Sequence, residues 1–166
     1  MSQTANRPAG PTGRLVIGGI GLGVFALDQF TKWLVVRSFE VGDSVAVLGR
    51  VMSLTYRTNA GGAFGAFPTS ALFLTVISAV VVLVLVVLGP RLVGDGRLGI
   101  ASLGFVLGGA AGNLLDRVRL QHVVDFLDFH FWPVFNVADI GITVGAILLV
   151  IVTLIDARHD DHERAT

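Results

Sequence analysis

The sequence predicts a mainly α-helical integral membrane protein with four transmembrane helices and a small extracytoplasmic β-rich segment between helices 1 and 2. Three observations lead there. Of the 166 residues 53% are hydrophobic and only 14% charged, and mean hydropathy is +0.77, too apolar for a soluble domain of this size. Apolar windows of about 20 residues, the length that crosses a hydrocarbon core about 30 Å thick, occur four times. Between the first two windows lies the one substantial stretch that reads as neither helix nor tail. Twelve basic residues balance twelve acidic ones, so there is no cationic footprint for nucleic acid. Cysteine is absent, which excludes a thiol nucleophile, a disulfide framework and thiolate metal sites.

In chain order, Ser2 to Gly13 reads as a disordered leader. The first span, Leu15 to Val36, is interrupted by Asp28, Gln29, Thr31 and Lys32. A cleavable signal peptide is the alternative for this window, but no small-residue cleavage site follows it. A discarded segment would also have no use for Asp28 and Lys32, which are four apart and able to pair, with the lysine snorkelling to the interface. The segment from Ser38 to Ser70 contains "VAVLGRVMSLTYRTN", whose β-branched and aromatic residues predict a small sheet on the outer surface. Ala71 to Leu88 is the cleanest span, broken only by Thr75 and Ser78. Leu98 to Leu115 is rich in glycine, and Val137 to Ile155 begins near Asp139 and gives way to a polar tail, 156–166, expected as solvated coil. The whole is expected to form a single membrane-embedded domain.

Gly104, Gly108 and Gly112 recur every four residues on the third span, as do Gly19 with Gly23 and Gly141 with Gly145. Such small-residue faces predict close helix packing in lipid. Four spans put both termini on one side. Arg7, Arg14, Arg91, Arg97, Arg158 and Arg164 there are matched by Lys32, Arg37, Arg50, Arg57, Arg117 and Arg119 opposite. Discounting Lys32 and Arg117 as held inside functional motifs tilts the balance to cytoplasmic termini.

Polar groups at membrane depth are costly, so each one is a functional candidate. In "GGAAGNLLDRV", Asn113 and Arg117 are four apart and share a face, with Asp116 as local counter-charge for Arg117 or Arg119. Asn59 sits in the glycine-rich turn "NAGGAFG". Asp125 and Asp139 are separated by Pro133, so they come from different elements. Two such carboxylates in a poorly hydrated place do not both ionise. One keeps a proton, the other accepts one, and a water between them becomes a nucleophile for a carbonyl. Two other readings stay open. The carboxylates can cap helix starts and pair with Arg117 or Arg119. Alternatively, Asp125, Asp128, His130 and Asp139 can ligate a metal, although no compact ligand spacing supports it. Asp128 and His130 are otherwise expected in a loop at the interface.

Five motifs in order, "DQFTK" (Asp28 to Lys32), "NAGGAFG" (Asn59 to Gly65), "GGAAGNLLDR" (Gly108 to Arg117), "VVDF" (Val123 to Phe126) and "FNVAD" (Phe135 to Asp139), resemble the bacterial lipoprotein signal peptidases, or signal peptidase II. The resemblance spans about Asp28 to Gly145. It implies a four-helix aspartyl endopeptidase of the bacterial inner membrane, with its site toward the extracytoplasmic face. It further implies that the substrate is a diacylglyceryl-modified prolipoprotein, cut just before the lipidated cysteine. By position, Asp125 and Asp139 resemble the catalytic pair, and Asn113, Arg117 and Asn136 the supporting polar residues. Asp28, Lys32 and Asn59 match other motif positions; Asp128 does not match the pair. Gly62 departs from the motif, which more often has alanine there.

No cofactor, no metal and no nucleic-acid partner are expected, membrane lipid is the surrounding medium, and a monomer is the expected state. Two rivals from other classes are a small proton-coupled transporter, weakened by the absence of an internal repeat, and a structural membrane subunit.

Overall fold

A computed structural model describes residues 8–60 and 71–165, with the backbone alone at 156 and 158–165. Gly62 and the rest of "NAGGAFG" beyond Ala60 lie outside the described residues. Seven elements follow in order: α1 (Pro11–Ser38), β1 (Ser44–Leu48), β2 (Met52–Asn59), α2 (Ala71–Leu92), α3 (Arg97–Leu120), β3 (Val123–Asp128) and α4 (Val137–Ala165). All four of these helices are long and apolar enough to cross a membrane.

Each helix outruns the apolar window that announces it. Helix α1 begins inside the segment expected as disordered leader, with proline in its first turn, where a missing N–H costs nothing. The residues before it are also held. Ala9 N–H donates to the Pro90 carbonyl at 2.7 Å and Gly10 N–H to Asp95 Oδ1 at 2.7 Å. These bonds join the start of α1 to the last turn of α2 and to the connection that follows it. At the other end of the chain, α4 runs on through the polar tail that was expected as coil, since a formed helix propagates more easily than a new one nucleates.

Helix α3 is the axis of the bundle. Of its most apolar stretch 44% is buried inside the protein, against 0% for α2, which packs on it from one side and otherwise faces outward. Glycines permit this density. A Cβ on Gly108 would strike the Gly21 carbonyl and one on Gly109 the Ala138 carbonyl, so α1 and α4 both lie backbone-close to α3. On α1 the approach runs through Gly21; Gly19 and Gly23, the expected pair, have nothing within 4 Å. Helix α3 continues past Leu115 to Leu120, so that Asn113, Asp116 and Arg117 share one regular helix. It stops at Gln121, whose left-handed φ of 63° turns the chain into β3.

The expected sheet exists, with one addition. It is antiparallel in the order β1-β2-β3, and its third strand is the "VVDFLD" segment after α3, well outside the stretch between α1 and α2. Val124 and Phe126 point one way, into a cluster with Val35 and Tyr56. Asp125, between them, therefore points the other way. A single bridge between Leu127 and Phe135 folds the following loop back, which brings Asn136 and the start of α4 beside β3.

Candidate active site

Asp125 and Asp139 arrive from a strand and a helix, and two asparagines join them. The start of α4 is built by Asn136 and Asp139 together: Asp139 N–H donates to Asn136 Oδ1 at 3.0 Å, and Asn136 N–H donates to Asp139 Oδ2 at 3.2 Å. This is the reciprocal arrangement of a capping box. The capping alternative thus describes half of Asp139. Its other oxygen, Oδ1, accepts the Asn113 amide at 2.8 Å. Asp125 caps nothing, and among the described residues neither aspartate pairs with Arg117 or Arg119.

Asn136 is fully buried, and its amide nitrogen donates to Asp125 Oδ1 at 2.7 Å, with longer bonds to Asn113 Oδ1 at 3.1 Å and the Val124 carbonyl at 3.3 Å. The second oxygen of Asp125 accepts Asn59 Nδ2 at 2.9 Å from the end of β2. Burial pushes the Asp125 carboxyl up to about 6; the Asn59 bond opposes this, the charge of Asp139 adds to it, and Asn136 and Lys32 oppose it. The pair is therefore electrostatically coupled.

Behind it lies a cluster of charges at membrane depth. Lys32 Nζ stands 2.9 Å from Asp28 Oδ2 and 2.7 Å from Asp116 Oδ2, and donates to Asn113 Oδ1 at 3.0 Å. The Asp28–Lys32 pair forms as the spacing predicted, but the lysine does not snorkel: it is 3% exposed, drawn inward by its second carboxylate. Asp116 is the residue that sequence reasoning misjudged. It faces Lys32 and, among the described residues, does not pair with the arginines beside it, because it sits three residues after Asn113 and so shares that residue's inward face.

Both carboxylates also hold backbone. Asp28 Oδ1 accepts the Ala138 N–H at 2.8 Å, and Asp116 Oδ2 accepts the Val124 N–H at 3.2 Å. Ala138 precedes Asp139 and Val124 precedes Asp125, so one lysine ties together the supports of both aspartates. Gln29, which the sequence showed only as an interruption of the first span, closes the cluster, donating to Asp28, Asp116 and the Gly112 carbonyl.

Arg117 stands apart from this network. Its Nη1 donates to the carbonyl of Asn113 on its own helix at 3.3 Å. Asp128 and His130 are drawn elsewhere: Asp128 is the last residue of β3, accepts Thr55 Oγ1 at 3.1 Å and the His130 N–H at 2.8 Å, and is held below the usual carboxylate range first by that N–H. The set of Asp125, Asp128, His130 and Asp139 does not converge, and among the described residues no three acidic or histidine side chains gather as a metal site.

A multi-pass membrane bundle with two carboxylates joined through asparagines at one end of its spans fits the class of membrane-embedded hydrolytic enzymes. Comparison with known proteins makes this particular. Residues 20–155 match the family model described as signal peptidase (SPase) II. A lipoprotein signal peptidase of Brevibacillus brevis is 44% identical over 138 residues, covering 81% of this chain and 92% of that protein. Those of Halothermothrix orenii (42% identical; 77% and 88% covered) and Shouchella clausii (40%; 85% and 94%) are similar. Two solved bacterial membrane enzymes superpose with TM-scores of 0.79 and 0.77 at 29% and 28% identity, covering 92% and 90% of this chain and 93% and 97% of theirs. The chain belongs to the signal peptidase II family, and is a membrane protease.

Proposed function

We propose that this chain is an aspartyl endopeptidase that removes the signal peptide from diacylglyceryl-modified prolipoproteins, cleaving before the lipidated cysteine, with Asp125 and Asp139 as its catalytic pair. The observation that carries the assignment is Asn136, which bonds to both aspartates and so fixes one relative to the other.

Asp125 is the more buried of the two and is pushed up to about 6, which suits it to hold the resting proton; Asp139, half-buried, serves as base. Water attacks the scissile carbonyl carbon, giving a proton to Asp139, while Asp125 protonates the carbonyl oxygen. The tetrahedral diol then collapses: the C–N bond breaks, the leaving nitrogen takes the proton from Asp139, and a diol hydroxyl returns one to Asp125. Asn113, Asn59 and Asn136 hold the carboxylates in register. The Asp28–Lys32–Asp116 cluster positions the backbone before each of them. Arg117, with donors unused among the described residues, holds a substrate carbonyl beside Asn113. Every group invoked comes from one chain, so a monomer suffices.

The site lies toward the extracytoplasmic face, with cytoplasmic termini. Lys32 is consumed by its carboxylates and Arg117 leans on its own helix; with both discounted, the sequence carries six arginines on the side of the termini against four opposite. Incubating the purified chain with a diacylated prolipoprotein and with its unlipidated precursor tests the proposal. Cleavage of the first at the residue before cysteine is expected, seen as a gel shift. A transporter or structural subunit would cleave neither.

A further inference from the structure

Beside the Lys32 cluster, with neither Asp125 nor Asp139 in its lining, the C-terminal turns of α1 and α3 part around a cleft of about 280 Å³. Its floor is closed to further ligands, since Lys32 and Gln29 already spend their donors on Asp28, Asp116 and backbone. Its sides are apolar, from Val36 on α1 and Leu120 on α3. Its rim carries two cations, Arg37 and Arg119, one from each helix. Neither guanidinium has a carboxylate partner among the described residues. Arg37 lies over the Trp33 ring, 4.4 Å from its centroid, and Trp33 stacks on Phe30. Exposed tryptophan at the end of a span marks the depth of lipid headgroups.

We propose that this cleft binds an anionic phospholipid, its phosphate held between Arg37 and Arg119 and the first part of an acyl chain lying along Val36, Leu120 and Trp33. The chemistry fits one ligand class. Guanidinium groups bind phosphate through paired donors, and an apolar cleft beneath them suits an amphiphile better than a free ion. The prolipoprotein is a poor fit, because a diacylglyceryl thioether brings no phosphate. The bilayer itself supplies the occupant, at the depth where the rim sits.

Trp33 in the wall is a built-in reporter. In a Trp132→Phe background, which silences the other tryptophan, the chain is reconstituted into phosphatidylcholine vesicles doped with chain-brominated phosphatidylglycerol or chain-brominated phosphatidylcholine. The expected result is half-quenching of Trp33 at a mole fraction of the anionic lipid roughly fivefold lower. That ratio should shrink in Arg119→Gln and reach unity in Arg37→Gln/Arg119→Gln, with prolipoprotein cleavage retained as the check on folding. Because the readout is a ratio of two lipids within one variant, changes in Trp33 itself cancel. Equal quenching in the parent chain overturns the site, and so does a preference that survives loss of both arginines. A preference abolished by inorganic phosphate, but not by chloride at equal ionic strength, would assign the rim to a free anion and overturn the lipid.

Discussion

Lys32 of α1 and Asp116 of α3 meet at 2.7 Å inside the bundle, closer than Lys32 stands to Asp28 one turn away on its own helix. The bond crosses the interface that α3 forms with α1, and Asp116 at the same time holds the strand that carries Asp125. Loss of the lysine leaves two buried carboxylates facing each other without a cation. Lys32→Met should destabilise the folded protein by about 3–5 kcal/mol, the usual cost of breaking a buried pair. Thermal unfolding in detergent measures it. Adding Asp116→Asn to Lys32→Met should recover part of the loss, since an amide oxygen still accepts the Val124 N–H and one stranded charge is gone. A double variant less stable than Lys32→Met alone would contradict the cluster.

Asp125→Asn and Asp139→Asn keep shape and lose proton transfer. Each should reduce prolipoprotein cleavage by about 10² to 10⁴, the scale of a lost general acid or base, while the protein still inserts and binds substrate. Asp128→Asn, whose partners are Thr55 and His130, should keep most activity. Assays at matched expression separate the three, and a dead Asp128→Asn with an active Asp125→Asn would reverse the assignment.

The raised Asp125 carboxyl also makes stability depend on pH. Its ordinary value is 3.8 and its folded value about 6, so between those limits the folded state binds more protons than the unfolded one. Its contribution is fully present below 3.8 and is lost as pH rises through about 6. Melting curves taken from pH 4 to pH 7 should therefore fall more steeply for the parent than for Asp125→Asn. Parallel curves would mean that burial does not hold a proton there.

Glycine on α3 is needed where side chains of other helices meet its backbone. A Cβ at Gly112 would stand 2.5 Å from Asp28 Oδ2, the group whose partner oxygen accepts the Ala138 N–H. Gly112→Ala should cost about 1–3 kcal/mol by overpacking and reduce turnover by displacing the start of α4. Gly23→Ala, with nothing within 4 Å, should leave turnover unchanged and not destabilise, since alanine favours a helix interior by up to about 1 kcal/mol.

Much of this protein was legible in the chain alone. Four spans, the membrane class and the candidate dyad of Asp125 and Asp139 follow from hydropathy, the cost of carboxylates in apolar surroundings, and the five family motifs. Asp28 and Lys32 pair at helical spacing, a local geometry that sequence encodes directly. The tertiary fold decided what distance along the chain conceals. Asp116 turned from its neighbouring arginines to Lys32, Asp125 came in on a strand borrowed from beyond α3, and Asn136 became the bond between two carboxylates. Local charge pairing weighs near neighbours, whereas in a bundle drawn tight by glycines the nearest partner of a buried ion is set by which helix faces it. A lysine shut away from water takes every carboxylate within reach, and only the packing of α1 on α3 determines which those are.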